Sequence, residues 1–432
     1  MKRVLIITYY WPPAGGPGVQ RWLKFVKYLK DFDIKPIVYV PENPHYPLVD
    51  DSLLNEIPEI ITILKQPIKE PYGLAKLFSK KKTQKISSGI ISEKKQGLLE
   101  KIMLWVRGNF FIPDARVGWV KPSVKFLKTY LKANPVDVIV SSGPPHSLHL
   151  IGLGLKNETG IPWVTDFRDP WTSIGYHKKL RLSCRSQKKH KQLESKVLNT
   201  CDAVIVTSPS TKSQFEKITE TPITVITNGF DVEISPSKNL DTDFTLSHIG
   251  SLLSERNPEI LWKVLSELVR ENKDFATHFK LQLAGVVSED VLLRIEHYGL
   301  KNYVRNFGYV SHEKSIALQK NSQVLLLIEI DSIETRAIIP GKLFEYMASQ
   351  RPILALGPKE SDVAPLIEST KTGSFFDYFQ EKEMKKEILH WFERYKNNSL
   401  VLHSQGVEAY SRKNLTKQLV AVLNNLKFKV NV

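Results

Sequence analysis

Short runs of consecutive apolar residues recur along this chain, and the stretches between them carry apolar residues three or four apart. A run of that kind, bounded by turn residues, marks a strand buried on both faces of a parallel sheet; the wider spacing marks a helix with one apolar face. Residues 3 to 8, 36 to 40, 136 to 140, 163 to 165 and 203 to 206 read as strands in the first half. Residues 244 to 249, 280 to 286, 304 to 309, 323 to 328 and 353 to 356 read as strands in the second. Helical spacing runs through Trp22, Phe25, Val26 and Leu29, and again through Leu343, Phe344, Met347 and Ala348. Strands alternating with helices over both halves predict two doubly wound, Rossmann-like α/β domains facing a cleft. The polar stretch 235–243 reads as the linker, which gives domains of 1–234 and 244–405 and a closing helical segment, 406–432.

Length agrees, since 432 residues exceed what one ordinary core accommodates. No stretch approaches the ~20 apolar residues that cross a bilayer, and the apolar start is too brief for a signal-peptide core. The cysteines are Cys184 and Cys201 alone, which excludes a disulfide framework and a cysteine zinc cluster and suits a reducing cytoplasm. The net charge of +16 attracts anions without choosing among nucleotides, nucleic acid and an acidic membrane.

Part of that charge is concentrated. Between residues 66 and 112 the run Lys76, Lys80, Lys81, Lys82, Lys85, Lys94, Lys95, Lys101 and Arg107 is interleaved with Leu98, Leu99, Ile102, Met103, Trp105 and Val106, with Phe110 and Phe111 just after. This composition suits either a helix lying on an anionic membrane or a helix packed on its own domain behind a solvated lysine loop. A second basic run, residues 177 to 196, has almost no interleaved aromatic residue, which argues against nucleic acid.

Candidate chemistry sits where strands end. Pro340 and Gly341 open a helix whose N-terminus is a ready phosphate site, Lys342 adds a full charge there, and Glu345 one turn on can accept hydrogen bonds from ribose hydroxyls. A helix-dipole acid and a solvated lysine are the plain alternative. After the first strand, Gly15, Gly16 and Gly18 permit close approach to a ligand or simply make a tight turn; their spacing is not that of a dinucleotide fingerprint. Asp166, Arg168 and Asp169 follow the strand 163–165, as an internal ion pair or as a site. His146, just past the strand 136–140, is a candidate acceptor contact, whereas His149 reads as a capping or core residue; no carboxylate or cysteine completes a metal site with them.

The segment PGKLFEYMA resembles the nucleotide-binding segment of family 4 retaining glycosyltransferases, in the version found in bacterial surface-polysaccharide transferases. The string DFRDPW and the turn NGFD are similar to further signatures of that branch. The resemblance implies the two-Rossmann GT-B architecture, with the acceptor on the first domain and the nucleotide-sugar donor on the second. It implies that Gly16, Gly18, Gly250, Arg256, Gly341, Lys342 and Glu345 bind the donor, that Asp166, Arg168 and Asp169 are catalytic, with the two aspartates orienting acceptor or donor hydroxyls, and that His146 contacts the acceptor. It also implies no metal or other cofactor, and a C-terminal helix, here Val407 to Leu426, crossing back to the first domain. Two positions depart from the pattern: Ala337 stands where an earlier glutamate is usual, and Ser251 replaces the first of two phosphate-gripping cations. The expected partners are a nucleotide sugar and a saccharide or lipid-linked saccharide, with a cytoplasmic location and an anionic membrane surface as a further partner, but no nucleic acid. A nucleotide-sugar epimerase of the same fold and a catalytically silent sugar- or membrane-binding protein are the competing readings.

Overall fold

A computed structural model describes residues 1–70, 98–175, 177, 180–235 and 239–426. The lysines from Lys76 to Lys95, together with Lys178 and Lys179, lie outside the described residues. The chain divides into two units, one of residues 1–228 with 412–432 and one of residues 229–411.

Unit 1 is built on a parallel sheet of seven strands: β1 (Lys2–Ile7), β2 (Ile34–Pro41), β3 (Thr62–Gln66), β4 (Val138–Gly143), β5 (Trp163–Phe167), β6 (Ala203–Val206) and β7 (Ile223–Val225). Their spatial order is 3-2-1-4-5-6-7, so the winding reverses between β1 and β4. Alternate residues of β1 serve opposite cores. Val4 and Ile6 pack with Trp22 and Phe25 of helix Pro17–Leu29, while Leu5 and Ile7 pack with Trp119 and Leu127 of helix Val117–Ala133. Because strand side chains alternate between faces and helices cover both, these strands read as unbroken apolar runs. Helix Arg412–Asn424 also belongs to unit 1: its Leu415, Leu419 and Leu423 join the core formed by Trp22 and Phe25.

Unit 2 repeats the design with β8 (Phe244–Ile249), β9 (Phe279–Ala284), β10 (Val304–Gly308), β11 (Val324–Ile328), β12 (Ile353–Gly357) and β13 (Gly373–Asp377), in the parallel order 10-9-8-11-12-13. Its reversal lies between β8 and β11. Leu326 faces Trp262 and Leu265, whereas Leu325 and Leu327 face Leu343, Phe344 and Met347.

Four differences separate the structure from the sequence reading. Strand β5 runs on through Asp166 and Phe167, so Asp166 lies within the sheet and not beyond it. Strands β3, β7 and β13 were not anticipated; all three are sheet edges, half-buried and mixed in polarity. The division between units falls after Asn228, ahead of the polar stretch 235–243, because Phe230 is buried in the unit 2 core and its N–H donates to Tyr410 O at 3.2 Å. The expected closing helix is a 3-10 turn, Val407–Tyr410, followed by helix Arg412–Asn424.

Candidate functional site

In an open α/β sheet the loops leaving the strands on either side of the winding reversal diverge and leave a crevice for ligands. Unit 2 concentrates charge there. The loop after β8 begins at Gly250, whose φ of 135° lies in the region that favours glycine, and a Cβ at that position would sit 3.3 Å from Lys342 Nζ. The same loop carries Arg256 at the end of the 3-10 turn Ser254–Arg256. Strand β11 delivers Glu329 immediately past its last residue. Helix Gly341–Ala348 follows, with Pro340 as its N-cap, a residue whose side chain makes no capping hydrogen bond to the first turn. A Cβ at Gly341 would meet nothing, so the approach to this N-terminus is open. The helix is pinned to the end of β8 by Tyr346, whose hydroxyl accepts from Ile249 N at 2.9 Å and donates to Ile249 O at 3.1 Å.

Electrostatics tie these groups together. Burial pushes the Lys342 ammonium down to about 7, with Arg256 acting in the same direction and Glu329 and Glu345 opposing it. Burial pushes the Glu329 carboxyl up to about 7 against the pull of Arg256 and Lys342. Glu329 is 4% exposed, and its Oε2 has no hydrogen-bond partner among the described residues. Lys342 Nζ lies 3.5 Å from Nε2 of His248, a ring kept neutral first by burial and then by the lysine charge. The His248 Nδ1 faces the Leu326 carbonyl at 3.1 Å, and because a carbonyl can only accept, Nδ1 carries the proton. Glu345 is half-buried and accepts from Gln319 Nε2 at 3.3 Å. Gly250, Arg256, Gly341, Lys342 and Glu345 therefore come together in unit 2. A desolvated lysine and a half-buried arginine at a helix N-terminus suit a polyanion.

The remaining candidates all lie in unit 1. Arg168 ties three strand-end loops: it donates through Nη1 to Gly18 O at 2.8 Å, through Nε to Gly143 O at 3.4 Å, and through Nη2 to Pro144 O. A Cβ at Gly18 would approach Arg168 Nη1 to 2.9 Å, so glycine there serves close packing against Arg168. Gly16, with φ 86°, turns the chain into helix Pro17–Leu29. Asp169 is half-buried and makes no hydrogen bond to a described residue; burial raises its pKa and Arg168 restrains the rise.

Two expected roles are corrected. Asp166 is fully buried and spent internally, accepting from Arg21 Nε and Nη2, Trp22 Nε1 and Ser142 Oγ, so it holds no free oxygen for a substrate hydroxyl. His146 is buried too, its ring stacked on Trp171 at 4.9 Å between centroids, and burial holds it neutral; it is not exposed to an acceptor. His149, read as capping or core, is core: its Nδ1 meets Ser141 Oγ at 2.9 Å. Among the described residues, no group of three or more histidines, cysteines or carboxylates is arranged to hold a metal.

A model of Glycosyltransferase Family 4 matches residues 89–234, which include β4, β5 and the Arg168 loop. Over that stretch the chain is family 4-like. Comparison with curated protein sequences finds no match. Among solved structures the chain is similar to sucrose-phosphate synthase from Thermosynechococcus elongatus, at 13% identity with 99% of each chain covered and a TM-score of 0.60. It is also similar to the N-terminal domain of a trehalose-6-phosphate phosphatase from Candida albicans, at 14% identity, 99% and 97% coverage, and a TM-score of 0.63. A third is a TarM mutant from S. aureus in complex with fondaparinux, α-GlcNAc-glycerol and UDP, at 13% identity, 98% and 100% coverage, and a TM-score of 0.57. Identities this low establish the fold: two Rossmann-like units of the GT-B kind.

Sequence reasoning missed Glu329 and Arg21. An acid directly after the apolar run of β11, on the strand flanking the reversal, was the available signal for the first. For the second it was an arginine four residues before Phe25, on the apolar face of helix Pro17–Leu29.

Proposed function

We propose that the protein transfers a glycosyl group from a nucleotide sugar to a saccharide or lipid-linked saccharide, with retention at the anomeric carbon, in the making of a surface polysaccharide. The observation that carries this reading is the unit 2 cluster, in which Gly250, Arg256 and Lys342 meet the open N-terminus of helix Gly341–Ala348 and Glu345 lies one turn further on. Arg256, Lys342 and the helix N–H groups would receive the diphosphate, and Glu345 the ribose. In transfer the bond from the anomeric carbon to the diphosphate oxygen breaks, and a bond to an acceptor hydroxyl oxygen forms. The proton of that hydroxyl leaves with the diphosphate. Charge develops on the leaving oxygen, so preorganised cations there lower the barrier. The UDP held in the TarM complex supports a nucleotide donor for this fold. Asp169, the carboxylate beside Arg168 with oxygens to spare, is the residue of unit 1 suited to orient a hydroxyl.

Glu345→Ala is expected to weaken nucleoside diphosphate binding by about 1.5–3 kcal/mol, the cost of losing hydrogen bonds to a charged acceptor. Calorimetric titration of UDP, GDP and ADP checks this, and unchanged affinity removes Glu345 from the site. Following the nucleotide separates transfer from its rivals. Diphosphate released only when a saccharide or lipid-linked acceptor is added supports transfer; an isomerised donor supports an epimerase; binding without turnover supports a silent protein.

A further inference from the structure

Helix Leu98–Phe110 of unit 1 presents an apolar face to solvent: Ile102 is 51% exposed, Trp105 44%, Val106 36% and Phe110 69%. Trp105 and Phe110 pack edge to face, 5.7 Å between ring centroids. The opposite side of the helix is fixed to the molecule. Leu104 is buried with Leu180 and Leu182, and a Cβ at Gly108 would come within 2.6 Å of Leu182 and 2.7 Å of Leu180 O. Asn109 accepts from Ser183 N at 2.8 Å and donates to Arg181 O at 3.2 Å. Ser183 is in turn the N-cap of helix Cys184–Thr200, so one junction sets the directions of both helices.

The second helix is the charged partner of the first. Arg185, Lys188, Lys189, Lys191 and Lys196 are exposed along it, whereas its acid, Glu194, is turned inward and accepts from Thr172 N at 3.0 Å and Thr172 Oγ1 at 2.5 Å. The solvent side of helix Cys184–Thr200 therefore carries cations and no carboxylate. Two kinds of occupant are disfavoured by this combination. A second copy of the chain would set like charges against each other, and a protein partner meets an interface in which lysine is ordinarily depleted. An anionic bilayer satisfies both halves, taking a tryptophan and aliphatic side chains at headgroup depth and drawing lysines to its surface. Among the described residues no helix is long and apolar enough to cross a membrane, and thirteen residues of helix extend only ~20 Å.

We propose that unit 1 docks on anionic lipid through the Ile102–Trp105–Val106–Phe110 face, with the cations of helix Cys184–Thr200 beside it at the headgroups. The proposal is independent of the donor reading above. The full chain is sedimented with vesicles of phosphatidylcholine alone and of phosphatidylcholine containing about one-third phosphatidylglycerol. Binding is expected only to the second, and it weakens as salt rises. The double variant W105S/F110S loses about tenfold or more by removing the inserted rings. The double variant K188E/K189E loses at least as much, because each cation near an anionic surface contributes roughly fivefold and here its sign is reversed. Both variants keep the parent's circular dichroism spectrum and Tm, so the loss is not one of folding. Equal binding to the two vesicle types, no binding to either, or binding that survives both variants overturns the proposal. So does a dimer in sedimentation velocity that W105S/F110S disperses, which would assign the face to self-association.

Discussion

Arg21→Met lowers the stability of the folded protein by about 3–5 kcal/mol in urea unfolding, the cost of leaving a buried charge without its partner. The Arg21 guanidinium and the Asp166 carboxylate are both fully buried, 2.8 Å apart at Nη2 and Oδ1. Arg21 also donates through Nη1 to Thr227 O at 2.8 Å, and so joins helix Pro17–Leu29, strand β5 and the segment leaving β7. Without the arginine, Asp166 keeps two neutral donors, Trp22 Nε1 at 2.8 Å and Ser142 Oγ at 2.7 Å, which do not offset an ionised oxygen in the core. Burial, the largest single influence, would raise the Asp166 pKa, and the Arg21 charge together with the hydrogen bonds from Arg21, Ser142 and Trp22 outweighs it and leaves the carboxyl below its usual value. The sign of the pH dependence follows. In the parent, the pair stabilises above the unfolded carboxylate pKa, and this is lost as pH falls through the lower folded value. In the variant the folded pKa is the higher of the two, so acid stabilises it relative to the unfolded chain and the deficit narrows as pH falls. Replacing both partners with apolar residues recovers much of the loss. A deficit in Arg21→Met below ~1 kcal/mol, the value of a surface ion pair, would sink this account.

The second large effect is on binding. Lys342→Met weakens nucleoside diphosphate binding by about 1.5–3 kcal/mol, roughly ten- to a hundredfold. A pH signature identifies its cause. Burial brings the ammonium of Lys342 and the carboxyl of Glu329 both to about 7 in the free protein. A bound diphosphate favours the protonated form of each, because it attracts the ammonium and repels the carboxylate. Binding therefore takes up protons, and affinity falls as pH rises through 7. Lys342→Met flattens that fall and is weakest relative to the parent on the acid side. Glu329→Gln, which holds the site in its uncharged-acid form, binds more tightly than the parent at the alkaline end. Titration calorimetry in buffers of different ionisation enthalpy measures the uptake directly; a diphosphate affinity independent of pH in the parent protein would falsify the assignment.

The fold was legible because buried parallel strands are the plainest pattern a sequence can write, and β4, β6, β8, β11 and β12 lie where apolar runs end in turn residues. Of the four edge strands only β10 was legible, since Thr62–Gln66, Ile223–Val225 and Gly373–Asp377 are half-buried and carry no continuous apolar run. The unit 2 cluster was legible because a Pro-Gly turn, a lysine and a glutamate lie within one helix; Glu329 was not, because its meaning comes from β8 and the Lys342 helix in space. Asp166 shows the opposite failure. A charged residue two positions from Arg168 looks like a site until β5 extends under it and Arg21, far away in sequence, claims its oxygens.

Unit 1 is discontinuous in sequence: the chain leaves it after Asn228 and returns only at Arg412. Strand β1 and helix Pro17–Leu29 thus leave the ribosome long before helix Arg412–Asn424, and Trp22, Leu23 and Phe25 lack its cover until Leu415, Leu419 and Leu423 arrive. Unit 2, continuous from Gly229 to Ser411, can complete its own core earlier, so the half begun first is the half finished last. A chain that stopped at Ser411 would keep Gly250, Arg256, Lys342 and Glu345 in a continuous unit 2 and yet leave the core of unit 1 without the helix that covers it.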